Sequence, residues 1–329
     1  MIRLALIGGG WQAAHQLAQA ILRFRELSIT AIVPEHGDTE GEEIVRASDG
    51  SIVVSTLDTL LAEYSDTFDA AIVRSHLSRR VSVACLVARA GKHVLVQSPM
   101  ASSSEEATRL LNACNSAGVK LMVGCSWRFR PSIVAVKRAL ESGKLGRPIF
   151  LRIHAWMPQV VSTSTTFLPE LVELLDLSLW IYGELPNEIF GMAGPGYDMP
   201  GKQTSDLHSH LAFPSEGMAL VSLTHSLCSS SGYNCLTLIG SSGAAYADDH
   251  NQSQLLYKGG QPAAIKTGEE LQELIGLLRE FTESIVQDRL SSLTSTEGKD
   301  ALVLAEWVLK SATERHPIRR IGDLYEPRL

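Results

Sequence analysis

The residues whose spacing speaks most directly of chemistry stand near the start of the chain: Gly8-Gly9-Gly10-Trp11-Gln12-Ala13. An apolar run, Ile2 to Ile7, stops at them, and a helical pattern with Leu17, Ile21, Leu22 and Phe24 on one face follows. A strand, a G-x-G-x-x-A turn and a helix in that order form a cradle for the diphosphate of a dinucleotide. Gly8 permits the tight turn, Gly10 lets the backbone approach the phosphates, and Ala13 lets the helix pack closely on the strand. The helix start adds free N–H groups and a positive dipole end. The whole turn, with Trp11 and Gln12 inside it, is therefore assigned to cofactor. An acidic residue about 20 positions on would accept hydrogen bonds from ribose. Glu35 lies 22 positions beyond Ala13, directly after Pro34. It is either that ribose ligand or an ordinary loop carboxylate.

Asp206, His208 and His210 alternate along a strand-like run, so they share one face. Such spacing can serve a metal, but no further ligand accompanies it; a polar, partly exposed sheet face is the simpler reading, and no metal is assigned. Five cysteines, Cys85, Cys114, Cys125, Cys228 and Cys235, contain no Cys-x-x-Cys pair and read as reduced thiols.

The elements that must carry these groups differ between the two halves. In the first, strands Ile2–Ile7, Ile29–Val33, Ala70–Val73, His93–Val96 and Lys120–Val123 alternate with helical stretches, among them Val81–Ala90 before Gly91. Ser103 and Glu106 form a capping box for a helix running to Ala117, closed by Gly118. That alternation implies a doubly wound parallel sheet of the Rossmann kind. In the second half a helix over Ser132–Ser142 precedes strand-like runs at 149–156, 188–192, 207–213, 219–227, 234–239 and 254–257. Strands without regular intervening helices predict a mostly antiparallel open sheet. Residues 228–232 read as a hairpin loop, and helices over 269–287 and 297–314 close the chain.

With 329 residues, against roughly 150 per domain, two domains are expected: 1–124, which binds dinucleotide, and 125–329, which binds substrate and supports oligomerisation. A hydrophobic fraction of 45% and a charged fraction of 20% exclude disorder and coiled coil. The net charge of −7 disfavours nucleic acid as a partner. No apolar run approaches the roughly 18 residues of a membrane span. Met1 leads straight into the first strand with no leader pattern, so a cytoplasmic location is expected.

Taken together, the glycine turn with His15, Ala90-Gly91-Lys92-His93-Val94-Leu95-Val96, Val123-Gly124 through Arg130-Pro131, Ser142 to Pro148, Asp176 to Trp180 and Ile239 to Gly243 resemble the Gfo/Idh/MocA oxidoreductases along almost the whole chain. The resemblance implies an N-terminal Rossmann domain and a C-terminal α/β domain with an open sheet. It further implies NAD or NADP as cofactor, a sugar-like or other small polar substrate, and dimers or tetramers joined through that sheet. It also marks departures. Where the family usually has Glu-Lys-Pro, this chain has Gln97-Ser98-Pro99; where an Asp-x-Gly-x-His segment is usual, Pro169 and Glu173 hold the Asp and His positions. His76-Leu77 replaces a Pro-Asn pair that lines the cofactor site. Ser98, Gln97 and Glu173 are then the catalytic candidates, with Gln97 and His76 also beside the cofactor. Glu173 either handles the proton, which near neutral pH would need its pKa raised by burial or by a nearby carboxylate such as Glu170, or is a surface helix residue. Trp127, Arg128 and His154 are the substrate candidates. Arg128 and Arg130 would clamp an anionic group or form structural ion pairs. The alternative is a member of the fold that binds a ligand without turnover.

Overall fold

A strand covered on both faces needs successive apolar side chains, and the N-terminal strands have them. Ile2–Ile7 (β1), Leu27–Val33 (β2), Ile52–Val53 (β3), Ala70–Val73 (β4), His93–Gln97 (β5) and Leu121–Gly124 (β6) pair in parallel, in the order β3-β2-β1-β4-β5-β6. The order reverses direction between β1 and β4. In open α/β sheets that switch opens a ligand crevice at the carboxyl ends of the strands. The computed structural model describes residues 1–9, 17–35, 51–158, 168–194, 204–226, 233–248, 253–257, 263–266, 271–322 and 324–327. By packing, the chain divides into two units, residues 1–126 with 270–302 and residues 127–269 with 303–329.

In the first unit, Leu57–Glu63 (α1), Leu77–Arg89 (α2) and Ser104–Ala117 (α3) accompany the sheet. Thr56 caps α1, accepting from the Thr59 N–H at 3.1 Å. Ser103 caps α3 by accepting from the Glu106 N–H at 3.3 Å, while the Glu106 carboxylate reaches back to the Ser102 N–H at 3.2 Å. The capping box is thus present with its return bond one residue earlier than its usual partner. Helix α2 starts four residues before the expected Val81, because His76 caps it and the polar residues Ser78, Arg79 and Arg80 form its first turn. The helix containing Leu17 and Ile21 ends at residue 21; both those side chains are buried, whereas Leu22 is exposed.

The second unit contains Pro131–Glu141 (α4), Pro148–Pro158 (β7), Leu168–Tyr182 (α5), Glu188–Ala193 (β8), Thr204–Ala212 (β9), Met218–Ser226 (β10), Tyr233–Gly240 (β11), Ala244–Asp248 (β12), Ser253–Tyr257 (β13) and Ala263–Lys266 (β14). Leu271–Val286 (α6) belongs to the first unit, Ser295–Glu314 (α7) runs through both, and Ile318–Ile321 (β15) with Leu324–Pro327 (β16) ends the chain. Among the described residues the second unit's sheet has ten strands, ordered β14-β13-β12-β11-β7-β10-β9-β8-β15-β16, and is antiparallel except between β7 and β10. Leu151, Ile153 and Ala155 of β7 and Ala219, Val221 and Leu223 of β10 are buried on the face that carries α5. Arg152, His154 and Trp156 take the other face. Helix α5 stands between the strand-like runs at 149–156 and 188–192, in a stretch to which the sequence pattern assigns no element. Leu171, Val172, Leu174, Leu175, Leu177, Leu179 and Ile181 are all buried, so apolar residues cover most of its circumference and no 3.6-residue contrast marks it. The short strands β3, β12, β14, β15 and β16 carry too few residues for their alternation to be read. Among the described residues, no helix is long and apolar enough to cross a membrane.

Candidate functional site

Strand β1 runs into Gly8 and Gly9, whose φ angles of +74° and +89° are strained for any residue with a side chain. Space forbids one too. A Cβ on Gly8 would stand 2.6 Å from the Ser75 Cα, 2.7 Å from the Ser75 N and 2.6 Å from Glu35 Oε2. The turn is therefore pressed between the residues that follow β4 and β2. Gly8, Glu35 and Ser75 line a cleft of about 290 Å³, with Thr56, Asp58 and Arg79 also on its wall. Glu35 Oε1 lies 3.9 Å from Arg79 Nη1. The fold thus brings Glu35 onto the glycine turn, as a ribose ligand would require. Gly10, Trp11, Gln12, Ala13 and His15 lie outside the described residues, as does the expected hairpin loop at 228–232.

Arg80, in the first turn of α2, is buried beneath this crevice. Its Nε and Nη2 donate to the Ser75 carbonyl at 3.1 and 3.0 Å, and its Nη1 donates to the carbonyls of Gln97 at 3.3 Å and Pro99 at 2.6 Å. One guanidinium therefore ties the end of β4 to the end of β5. Burial, reinforced by the like charge of Arg74, lowers its pKa to about 10. The hydroxyls of Ser75 and Ser98 are buried without a hydrogen-bond partner. Buried hydroxyls of this kind are normally satisfied, and both stand at carboxyl ends of strands, where the crevice opens. Gln97 is half-buried beside them. His76 is exposed; its Nδ1 accepts from the Ser78 N–H at 3.4 Å, which makes it a helix cap.

In the second unit, Trp127 and Arg128 sit on a 3₁₀ turn, Ser126–Phe129. Arg128 donates from Nε and Nη2 to the two carboxylate oxygens of Asp176, both at 2.6 Å, and both side chains are almost fully buried. This bidentate bond is the structural ion pair that stood as the alternative to a substrate clamp. Arg130 is stacked on Trp127, its guanidinium carbon 3.8 Å from the ring centroid. Glu173 Oε2 accepts from the Trp127 N–H at 3.4 Å, and the residue is half-buried rather than solvated. One turn earlier, burial pushes the Glu170 carboxyl upward.

His154 is not brought together with Trp127 and Glu173. It projects from the face of β7 opposite α5, its ring 6.2 Å from that of Tyr233, and burial lowers its pKa. Alternation along β7 settles this, since Leu151, Ile153 and Ala155 take the helix side. His208 on the same open face pairs with the Ser222 hydroxyl at 2.8 Å, and no group of three His, Cys, Asp or Glu side chains able to hold a metal occurs among the described residues. Sequence reasoning missed Ser75, Arg74 and Arg80. None of the three carried a signal: the sequence pattern starts the helix at Val81, after Arg80, and the neighbours of β4 that Arg74 and Ser75 meet are set by topology.

A parallel sheet ordered 3-2-1-4-5-6 with a glycine turn and a carboxylate at its switch point defines a dinucleotide-binding Rossmann protein. The family described as "Oxidoreductase family, NAD-binding Rossmann fold" (Gfo/Idh/MocA) matches residues 2–125. Inositol 2-dehydrogenase 2 of Saccharopolyspora erythraea is 34% identical over 120 residues, 35% of this chain and 35% of that protein. Myo-inositol 2-dehydrogenase of Thermotoga maritima is 22% identical over 267 residues, 76% of this chain and 79% of the relative. The fold is also that of an oxidoreductase from Agrobacterium radiobacter solved with NAD+, L-tartaric acid and magnesium, with a TM-score of 0.84 at 17% identity over 97% of this chain and 98% of that one. In sequence, the chain is similar to the Gfo/Idh/MocA oxidoreductases over residues 2–125, the stretch matched by their NAD-binding Rossmann fold.

Proposed function

We propose that the protein is an NAD(P)-dependent oxidoreductase acting on a sugar-like or other small polar substrate, with an altered set of proton-handling residues. The observation that carries this reading is the cleft at Gly8, where the turn leaves no room for a Cβ and Glu35 supplies a carboxylate. A dinucleotide fits these residues: Gly8 admits close backbone approach, Glu35 accepts from ribose hydroxyls, and the partnerless Ser75 hydroxyl adds a donor. When bound, the nicotinamide ring exchanges a hydride with substrate. Gln97 and Ser98, held by Arg80, are proposed to line the nicotinamide end. Ser98 carries no charge, so it can orient a substrate oxygen but cannot act alone as a base. Glu173, with Trp127 N–H on its Oε2, is proposed to take or return the substrate proton. The relatives' names point to polyols and sugars, which present the secondary hydroxyls such a reaction needs.

The test is a fluorescence titration with NADH and NADPH, followed by a turnover screen with inositols, aldoses and their keto forms. Saturable binding and turnover of at least one polyol are expected. Failure of both cofactors to bind at millimolar concentration ends the reading. Binding without any turnover favours the second reading, a ligand-binding member of the family, for which Ser98 in place of a usual lysine speaks. Association of copies through the open sheet face, where Trp156, Met192, Met218 and Tyr246 are exposed, belongs to the same proposal and is read by light scattering.

A further inference from the structure

We propose that Arg74 is an ionic ligand for the diphosphate of the bound dinucleotide, a role that rests on the dinucleotide reading above and adds a residue to it. Arg74 directly follows β4. Its N–H donates to the carbonyl of Ile7, the last residue of β1, at 2.8 Å, so its backbone is fixed beside the start of the glycine turn. Its side chain then runs along that turn. A Cβ built on Gly9 would stand 3.2 Å from Arg74 Cβ and 3.6 Å from both its Cδ and Nε. Gly9 lies between the two glycines that admit a diphosphate, and an arginine stem laid against it brings a forked donor to the place where that charge would sit.

The surroundings favour an anion. Arg80 lies close enough to Arg74 for the two positive charges to oppose each other, and the Glu35 carboxylate also acts on Arg80. All four hydrogen bonds described for Arg80 go to carbonyl oxygens, which bear no formal charge to balance it. Arg80 is committed to bracing Ser75, Gln97 and Pro99. Arg79 leans toward Glu35 at the ribose end. The distances to Gly9 make Arg74 the cation positioned there, and its partial burial, which lowers its pKa, strengthens any charge-assisted bond it makes.

The experiment uses the full chain and three ligands, NADH, ADP-ribose and adenosine, followed by calorimetry or ligand-observed NMR. Arg74→Gln is expected to weaken NADH and ADP-ribose about tenfold or more, as loss of a charge-assisted bond to phosphate should. Adenosine, which lacks phosphate, should bind as before. Arg74→Lys should restore part of the loss, and the wild type should lose affinity with added salt more steeply than Arg74→Gln. Equal or tighter ADP-ribose binding by Arg74→Gln overturns the proposal, as does an equal loss for adenosine, which would mark a distorted site. If the wild type binds neither NADH, NADPH nor ADP-ribose, the dinucleotide reading itself fails. If the wild type binds and Arg74→Gln matches it, only the role of Arg74 fails.

Discussion

Glu35 and Gly8 are in direct apposition: the carboxylate Oε2 lies 2.6 Å from the position a Cβ on Gly8 would take. In the proposed dinucleotide site, a carboxylate held there would accept hydrogen bonds from ribose hydroxyls and repel a 2′-phosphate. NADH should therefore bind more tightly than NADPH. Glu35→Ala should narrow the difference by about tenfold, the worth of one such interaction. Parallel titrations of the two cofactors check this; NADPH binding at least as tightly to the wild type would remove the assignment.

The bidentate bond between Arg128 and Asp176 explains why an arginine in a site-like position need not serve a substrate. Each group is buried, so removing one strands the other. Asp176→Ala should destabilise the second unit by about 3–5 kcal/mol, whereas replacing both by apolar residues of similar volume should cost much less. Chemical denaturation of the single and double variants gives the comparison. A single variant as stable as the wild type would contradict the burial described for the pair.

The sequence shows the parallel sheet because β1, β4 and β5 are apolar runs bounded by turn residues, and it shows the glycine turn because the motif is local. It hides α5, since a helix apolar on nearly every side has no stripe to detect. It hides the register of the second sheet as well, and with it the fact that His154 faces away from Glu173: alternation gives two faces but does not say which one a helix will cover. Arg74 illustrates the same limit. Its partner, Gly9, is 65 positions away in sequence, and only the placement of β4 beside β1 brings them together. Contacts made by topology cannot be read from periodicity.

In the first unit, Glu280 on α6 receives Arg289 Nη1 at 2.7 Å and Nη2 at 2.9 Å, and it also accepts from the Ser292 N–H, so it fastens the loop that leads to α7. These bonds, Arg289 first, hold its carboxyl at about 2 against an ordinary 4.5. A depressed carboxylate stabilises the fold above its unfolded pKa, and that contribution is lost as pH falls through the folded value. Stability should therefore decline as pH drops from 4.5 toward 2. Glu280→Gln should be less stable at neutral pH and show a shallower acid decline over the same window. Melting temperatures measured from neutral to acid pH would show it; identical slopes for the two proteins would contradict it.

Glu173 is the proposed proton acceptor, and Glu173→Gln tests it cleanly. The amide introduced by that substitution keeps an oxygen for the Trp127 N–H, so the local structure should persist while the basic group is lost. Turnover should fall by about 100-fold or more, in the range for removing a general base, with the NADH dissociation constant unchanged. A Glu173→Gln protein with wild-type turnover would leave the proton to another group, and Ser98, tethered through Arg80 and buried without a partner, would be the next residue to substitute.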